Sequence, residues 1–205
     1  MATGKQNRNS FQLAAIIARR WGYEKVPLQV KMDHLLDPIK VIIVGGCSCG
    51  KTTLLKRYVS FAGRYQSINP AMNGTQLNSS HLVPFTDLYE ATPGLNIGRL
   101  ALPLNNGAVC NVSLIDVGGV LIQRKGPDLM NKIIENIEGV FIVVDATSVQ
   151  SMKDADNWLD ILSKCNSNIS KFLFVNKSDL PIEQRVVTPQ NLDTFVRLGY
   201  SLHHV

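Results

Sequence analysis

The 205-residue chain predicts an α/β domain, and three observations carry that prediction. An apolar run, VIIVGG at 41–46, enters a glycine turn and then the helical stretch TTLLKRYVSF, giving a strand, a loop and a helix in succession. Two further apolar runs, GVFIVVDAT (139–147) and KFLFVNKSD (171–179), end in polar loops, as buried strands do where they open at their carboxyl ends. Between IGRLALPL and AVCNVSLID stand Asn105, Asn106 and Gly107, and Asn-Gly between strand-like runs marks a hairpin of two antiparallel neighbours. The length suffices for one such domain with a buried core and an appendage.

In chain order, residues 1–37 form a basic extension. Lys5, Arg8, Arg19 and Arg20 occur with no acid before Glu24, and FQLAAIIARRW (11–21) has apolar residues at helical spacing. A short helix packed on the domain has that pattern, and so does a mitochondrial transit peptide. Residues 1–64 hold 11 basic and 3 acidic groups of the chain's 21 and 16, so the basic surplus belongs to this end. A solvated face is its plain account, and nucleic acid is not an expected partner.

The domain proper spans 38–205. Within an insertion at about 62–83, the stretch QSINPAMNGTQLNSS (66–80) lacks an apolar period and is rich in Asn, Ser and Gly, so it reads as a long mobile loop. MKDADNWLDIL puts Met152, Ala155, Trp158, Leu159 and Leu162 on one helical face for the core. QNLDTFVRL makes another short helix, and the chain closes on YSLHHV, with His203 and His204 as strand-end residues. No apolar run approaches the ~20 residues that span a bilayer. Cys47, Cys49, Cys110 and Cys165 show neither zinc-site spacing nor a dense disulfide framework, which suits a reducing, cytoplasmic compartment.

The chemistry lies in three loops. GGCSCGKT (45–52) fits G-x-x-x-x-G-K-[ST] after a strand and at the opening of a helix, where that motif works. Backbone N–H groups of 46–51 can wrap phosphates, the helix N-terminus adds partial positive charge, Lys51 can bridge the outer phosphates, and the Thr52 hydroxyl can ligate Mg²⁺. The candidate contacts are Gly45, Gly46, Cys47, Ser48, Cys49, Gly50, Lys51, Thr52 and Thr53. In LIDVGGVLI (114–122), Asp116 ends a strand and can hold the Mg²⁺ through a water, while Gly119 leaves an N–H free for the terminal phosphate. A strand-ending Asp in a turn is the plainer account of Asp116. An ATPase would use the same two elements. NKSD (176–179) separates the two: Asp179 can accept both the N1–H and the exocyclic amine of guanine, a donor pair adenine lacks. Asn176 can support the neighbouring loop, and the stem of Lys177 can cover the ring or sugar.

With the order cradle, Asp-x-x-Gly and Asn-Lys-x-Asp, residues 38–205 resemble the small GTPases of the Ras superfamily, the Rab branch most closely. FTDLYEATPGLNI (85–97) follows the Rab pattern of Phe, Tyr, Thr, Gly and a final apolar residue, and DVGG is similar to the Arf spelling. By this resemblance Thr92 maps to the switch threonine that reaches Mg²⁺ and the γ-phosphate; otherwise it is a turn residue before Pro93. The implied metal set is Thr52, Thr92 and Asp116, and the implied catalytic set Lys51, Thr92 and Gly119. The resemblance also implies a Ras-like P-loop fold, a mostly parallel sheet with one antiparallel edge strand and helices on both faces. Its ligands would be GTP or GDP with Mg²⁺. Segments near 85–97 and 118–126 would switch and meet effector, exchange and activating proteins, in membrane traffic.

Four departures qualify what carries over. Val120 stands where the family has the glutamine that orients attacking water, so hydrolysis is expected to be slow. The connection from Lys51 to Thr92 is longer than the family needs. The chain ends at Val205, about where the family's last loop and helix begin, so a base contact and a helix over one sheet face are expected to be missing; 11–21 is a candidate substitute. SLHHV offers no prenylation cysteine, leaving membrane association at most peripheral. The rival readings are a scaffold with this fold and no working cycle, and an ATP-using enzyme in which NKSD is accidental.

Overall fold

The structure, a computed structural model, describes residues 38–59, 63–68, 76–79, 92, 94–103, 109–119, 121, 130–163 and 169–205. The expectations for 1–37, for 85–91, for the 105–107 turn and for Val120 lie outside the described residues.

β1 (Ile39–Gly45) is buried along both faces, as a strand deep inside a layered sheet must be. Its side chains alternate: Ile39, Val41 and Ile43 enter one apolar cluster, and Ile42 and Val44 the other. The helix that follows, α1 (Lys51–Val59), covers the first face through Leu54, Leu55, Tyr58 and Val59. Gly98 makes that approach possible, because a Cβ there would run into Val59 and Leu55.

The remaining strands are β2 (Gly63–Ile68), β3 (Gln76–Ser79), β4 (Leu95–Pro103), β5 (Val109–Val117), β6 (Gly139–Asp145), β7 (Ser170–Asn176) and β8 (Ser201–His204). They form one eight-stranded sheet in the order β3-β2-β4-β5-β1-β6-β7-β8. From β5 to β8 every ladder is parallel. From β5 to β3 every ladder is antiparallel. The expected α/β class, parallel core and β4–β5 hairpin pair are present.

The insertion departs from expectation. Residues 63–68 and 76–79 are not loop: they pair with each other and with β4, so the antiparallel side continues two strands beyond β4. The reason is physical. A strand added at a sheet edge is held by its backbone hydrogen bonds and needs no apolar alternation, so a composition of Asn, Ser and Gln conceals it.

α2 (Val149–Leu162) covers the second face with Met152, Ala155, Trp158 and Leu162 buried and Leu159 partly so, as its spacing predicts. Ser148 caps it, its hydroxyl accepting from the Ser151 N–H at 3.2 Å. α3 (Pro189–Arg197) starts with proline and a capping box between Thr188 and Asn191, and buries Leu192 and Phe195 against the same cluster. The helices thus flank the sheet on both faces. No described helix is long and apolar enough to cross a membrane.

Parallel strands place their carboxyl ends at one rim. Gly45, Asp116, Asp145 and Asn176 all finish there, in the registers Ile43↔Asp116, Gly45↔Val143 and Asp145↔Asn176. β4 runs the other way, with Asn96 opposite Asp116, so its amino end delivers Thr92 and Gly94 to the same rim.

Candidate functional site

At this rim the loop after β1 turns through Ser48 (φ 59°) and Gly50 (φ 97°) into α1. Gly50 is required twice over. Its left-handed backbone strains any side chain, and a Cβ would strike the amide of Asn176, which donates to the Cys49 carbonyl at 2.9 Å. Gly50→Ala is therefore expected to destabilise the fold by about 2–3 kcal/mol, combining about 1–2 for the left-handed backbone with about 1 for the displaced hydrogen bond. The denaturant midpoint of the purified variant measures this.

Lys51 is 6% exposed, and its ammonium donates to the Gly46 carbonyl and approaches the Cys49 thiol at 3.8 Å. Burial pushes the Cys49 thiol up against the opposing pull of Lys51, so this cysteine is a neutral packing group. Cys47 is exposed on the loop and touches Gly119: a Cβ on Gly119 would sit 2.7 Å from the Cys47 sulfur. Thr53 is half-buried in the first turn of α1.

Thr52 faces the end of β5. Its hydroxyl donates to Asp116 Oδ2 at 2.6 Å and lies 2.9 Å from the Thr92 hydroxyl. Asn96 Nδ2 donates to the same Oδ2 at 3.1 Å. Asp116 is fully buried, and its other oxygen, Oδ1, has no hydrogen-bond partner. Burial drives its pKa up, only partly offset by the Thr52 hydrogen bond, Lys51 and Asn96. Among the described residues no ion pair joins Lys51 to Asp116. A buried cation without a carboxylate and a buried carboxylate with an idle oxygen thus stand side by side, each short of a counter-charge. Two hydroxyls and a carboxylate converging on one point, with one lone-pair site unused, are the hard oxygen donors that Mg²⁺ takes.

Gly118 ties in the segment that leads into β4. Its N–H donates to the Gly94 carbonyl at 2.9 Å, and a Cβ there would enter the Thr92 carbonyl. At the next loop, Lys177 adopts a left-handed backbone (φ 60°) and pairs with Asp145 at 2.5 Å. Asp145 Oδ1 accepts from the Thr147 N–H at 2.9 Å and the Thr147 hydroxyl at 2.7 Å. Burial works against the Asp145 carboxylate, but the Lys177 and Thr147 hydrogen bonds outweigh it and hold its pKa below the usual value. An acid whose folded pKa is depressed contributes stability above its unfolded pKa, near 3.9, and loses it as pH falls through the folded value. Lys177→Ala is accordingly expected to lower the melting temperature at neutral pH. In a melting series across pH the deficit should start to shrink as pH falls through about 4 and vanish only below the depressed folded value of Asp145. Asp179 is exposed, three residues beyond Asn176.

Comparison with known proteins now bears on this rim. A family model described as Ras family matches residues 82–200, more than half of the chain. The chain belongs to the Ras family. Curated relatives of this Ras-family chain include the Ras-related protein Rab-32C of Dictyostelium discoideum, 25% identical over 159 residues, which are 77% of this chain and 59% of that protein. The Ras-related protein Rab-28 of Caenorhabditis elegans is 26% identical over 176 residues, covering 80% and 60%. RABD1 of Arabidopsis thaliana is 22% identical over 152 residues, covering 74% and 61%. The chain spans about three fifths of the length of these relatives. The Rab-like resemblance of the sequence is thereby borne out.

Two polar residues of the Ras-family rim escaped sequence reasoning. Asp145 has the signal that exposed Asp116, an acid closing a wholly apolar strand, and could have been found by it. Asn96 gave less warning, as one amide in LNIGRLALP; its value lies in facing Asp116 across the ladder.

Proposed function

We propose that this Ras-family chain is a guanine-nucleotide switch holding GTP or GDP with Mg²⁺. The observation that carries the proposal is the pair of buried, uncompensated charges, Lys51 and Asp116, bracketed by the Thr52 and Thr92 hydroxyls. A nucleotide phosphate meets the first need and a divalent ion the second.

In this reading the Lys51 ammonium leaves the Gly46 carbonyl for the outer phosphates, and the N–H groups of 46–51 wrap them. Thr52, Thr92 and Asp116 would hold Mg²⁺, which when bound neutralises phosphate charge as a Lewis acid. Asn176 braces the cradle through Cys49, the Lys177 stem lies along the base or sugar, and Asp179 accepts from guanine. Switching would act on Thr92 and Gly94: the hydroxyl contact to Thr52 and the carbonyl contact to Gly118 hold that strand in place, and a γ-phosphate at Gly119 would reset both. Effector, exchange and activating proteins would read the change. A role in membrane traffic and a cytoplasmic or peripherally membrane-associated location follow from the resemblance to Rabs.

One observation favours a second reading, a scaffold without a working cycle: Val120 has no polar atom with which to orient water. Competition of unlabelled GTP and ATP against fluorescent GDP tests the base assignment. GTP is expected to displace the probe far better than ATP, and Asp179→Ala to erase most of that preference, on the order of a hundredfold, because each unmade charge-assisted hydrogen bond is worth about 1.5–3 kcal/mol. Equal displacement by ATP in the unmodified chain would refute guanine selectivity.

A further inference from the structure

We infer that Asp145 is a positioning residue for the nucleotide, an assignment that rests on the guanine-nucleotide reading of this rim: it tethers the Lys177 ammonium, so that the lysine stem already lies in place when base and sugar arrive. Asp145 belongs to none of the three sequence motifs, yet its N–H and both carboxylate oxygens have fixed partners. The N–H donates to the Ser151 hydroxyl, in the first turn of α2, at 2.9 Å. Oδ1 accepts from the Thr147 N–H and the Thr147 hydroxyl, which turns Oδ2 toward Lys177, 2.5 Å away. Burial opposes the charge, and the Lys177 and Thr147 hydrogen bonds outweigh it, so the tether is ionised at neutral pH.

Lys177 stands at φ 60°, a backbone region that disfavours every residue with a Cβ. Glycine would suit this turn better, so the lysine is there for its side chain. That side chain is 38% exposed, whereas the Asp145 side chain that meets it is 9% exposed. One end of a part-exposed side chain is thus anchored at a buried acid, and the stem is left as surface.

The backbone around the pair is held as well. Asn176 donates to the Cys49 carbonyl at 2.9 Å, and the Ser178 N–H and hydroxyl reach the Val205 carbonyl at 3.0 and 2.8 Å. Asp145 faces Asn176 across the β6–β7 ladder, and the Ala146 N–H donates to the Asn176 carbonyl at 2.9 Å. With both backbones fixed, the side-chain pair sets where the stem lies. A free lysine loses rotamer freedom when a ligand orders it, whereas a tethered one has given up most of it beforehand. The two lysines of the rim therefore divide the work. Lys51 forms no ion pair among the described residues and keeps its charge for phosphate, while the charge of Lys177 is answered by Asp145 and its stem is what a ligand meets.

Affinity for fluorescent GDP, measured for the unmodified chain, Asp145→Asn, Lys177→Met and the double variant, tests this. Asparagine keeps the size and an acceptor for Thr147, and methionine keeps an apolar stem without the ammonium. Each single variant is expected to bind about tenfold more weakly, the scale of ordering one long side chain, and the double variant no more weakly than either. An acid that merely supports the fold would add its own loss to that of Lys177→Met, so additive losses would overturn the inference. Either single variant binding like the unmodified chain would do the same, and Lys177→Met decides even if Asp145→Asn does not fold. No binding of GDP by the unmodified chain would remove the nucleotide reading and the tether with it, whereas binding with additive losses would remove the tether alone.

Discussion

Lys51→Ala is expected to lower affinity for GTP and GDP by roughly a hundredfold or more, with little loss of fold stability. The ammonium is 6% exposed and its acceptors are a carbonyl and a thiol, so it is a desolvated cation that forms no ion pair among the described residues. Binding a phosphate would supply a counter-charge, and truncating one member of a buried charge pair costs about 2–5 kcal/mol, each 1.4 kcal/mol being tenfold. The same burial means that the alanine variant removes a standing desolvation cost from the nucleotide-free protein, which limits the damage to folding. Equilibrium titration with fluorescent GDP, paired with a denaturant curve, separates the two effects. A variant that binds normally would mean that the cradle holds no phosphate.

The second large effect concerns hydrolysis. Purified protein preloaded with GTP is expected to cleave it slowly in a single turnover, and Val120→Gln to speed cleavage by on the order of a hundredfold, the scale at which positioning of a reactant acts. Valine can neither accept from nor donate to an attacking water, and Gly119 beside it lies against Cys47 of the cradle loop. A rate already fast in the unmodified chain, or one indifferent to Val120→Gln, would remove Val120 from the account. Slow cleavage with tight binding would describe a switch that depends on an activating partner to reset.

Much of this was legible because its signals are local. A glycine loop between an apolar strand and a helix announces a cradle, Met152 to Leu162 announces a core helix by its period, and strands buried on both faces announce a parallel sheet. Asp116 was legible because an acid ending an oily strand needs a partner. Other features depend on pairing between distant segments. β2 and β3 were hidden since strands added beyond β4 are held by their backbone partners, and Asn96 acquires its meaning from the register that sets it against Asp116. The reach of Asn176 to the Cys49 carbonyl, across 127 residues, is likewise a product of the sheet order.

The most direct measurement is the affinity of the pure chain for GDP with Mg²⁺, then with the ion chelated, then in Asp116→Ala. Tight binding that weakens by at least about tenfold on chelation, with the variant weak and indifferent to Mg²⁺, is the predicted result, since in the proposed reading Asp116, whose Oδ1 has no hydrogen-bond partner, helps to hold the ion. Binding unaffected by either change, or no binding of guanine nucleotide at all, would contradict the account.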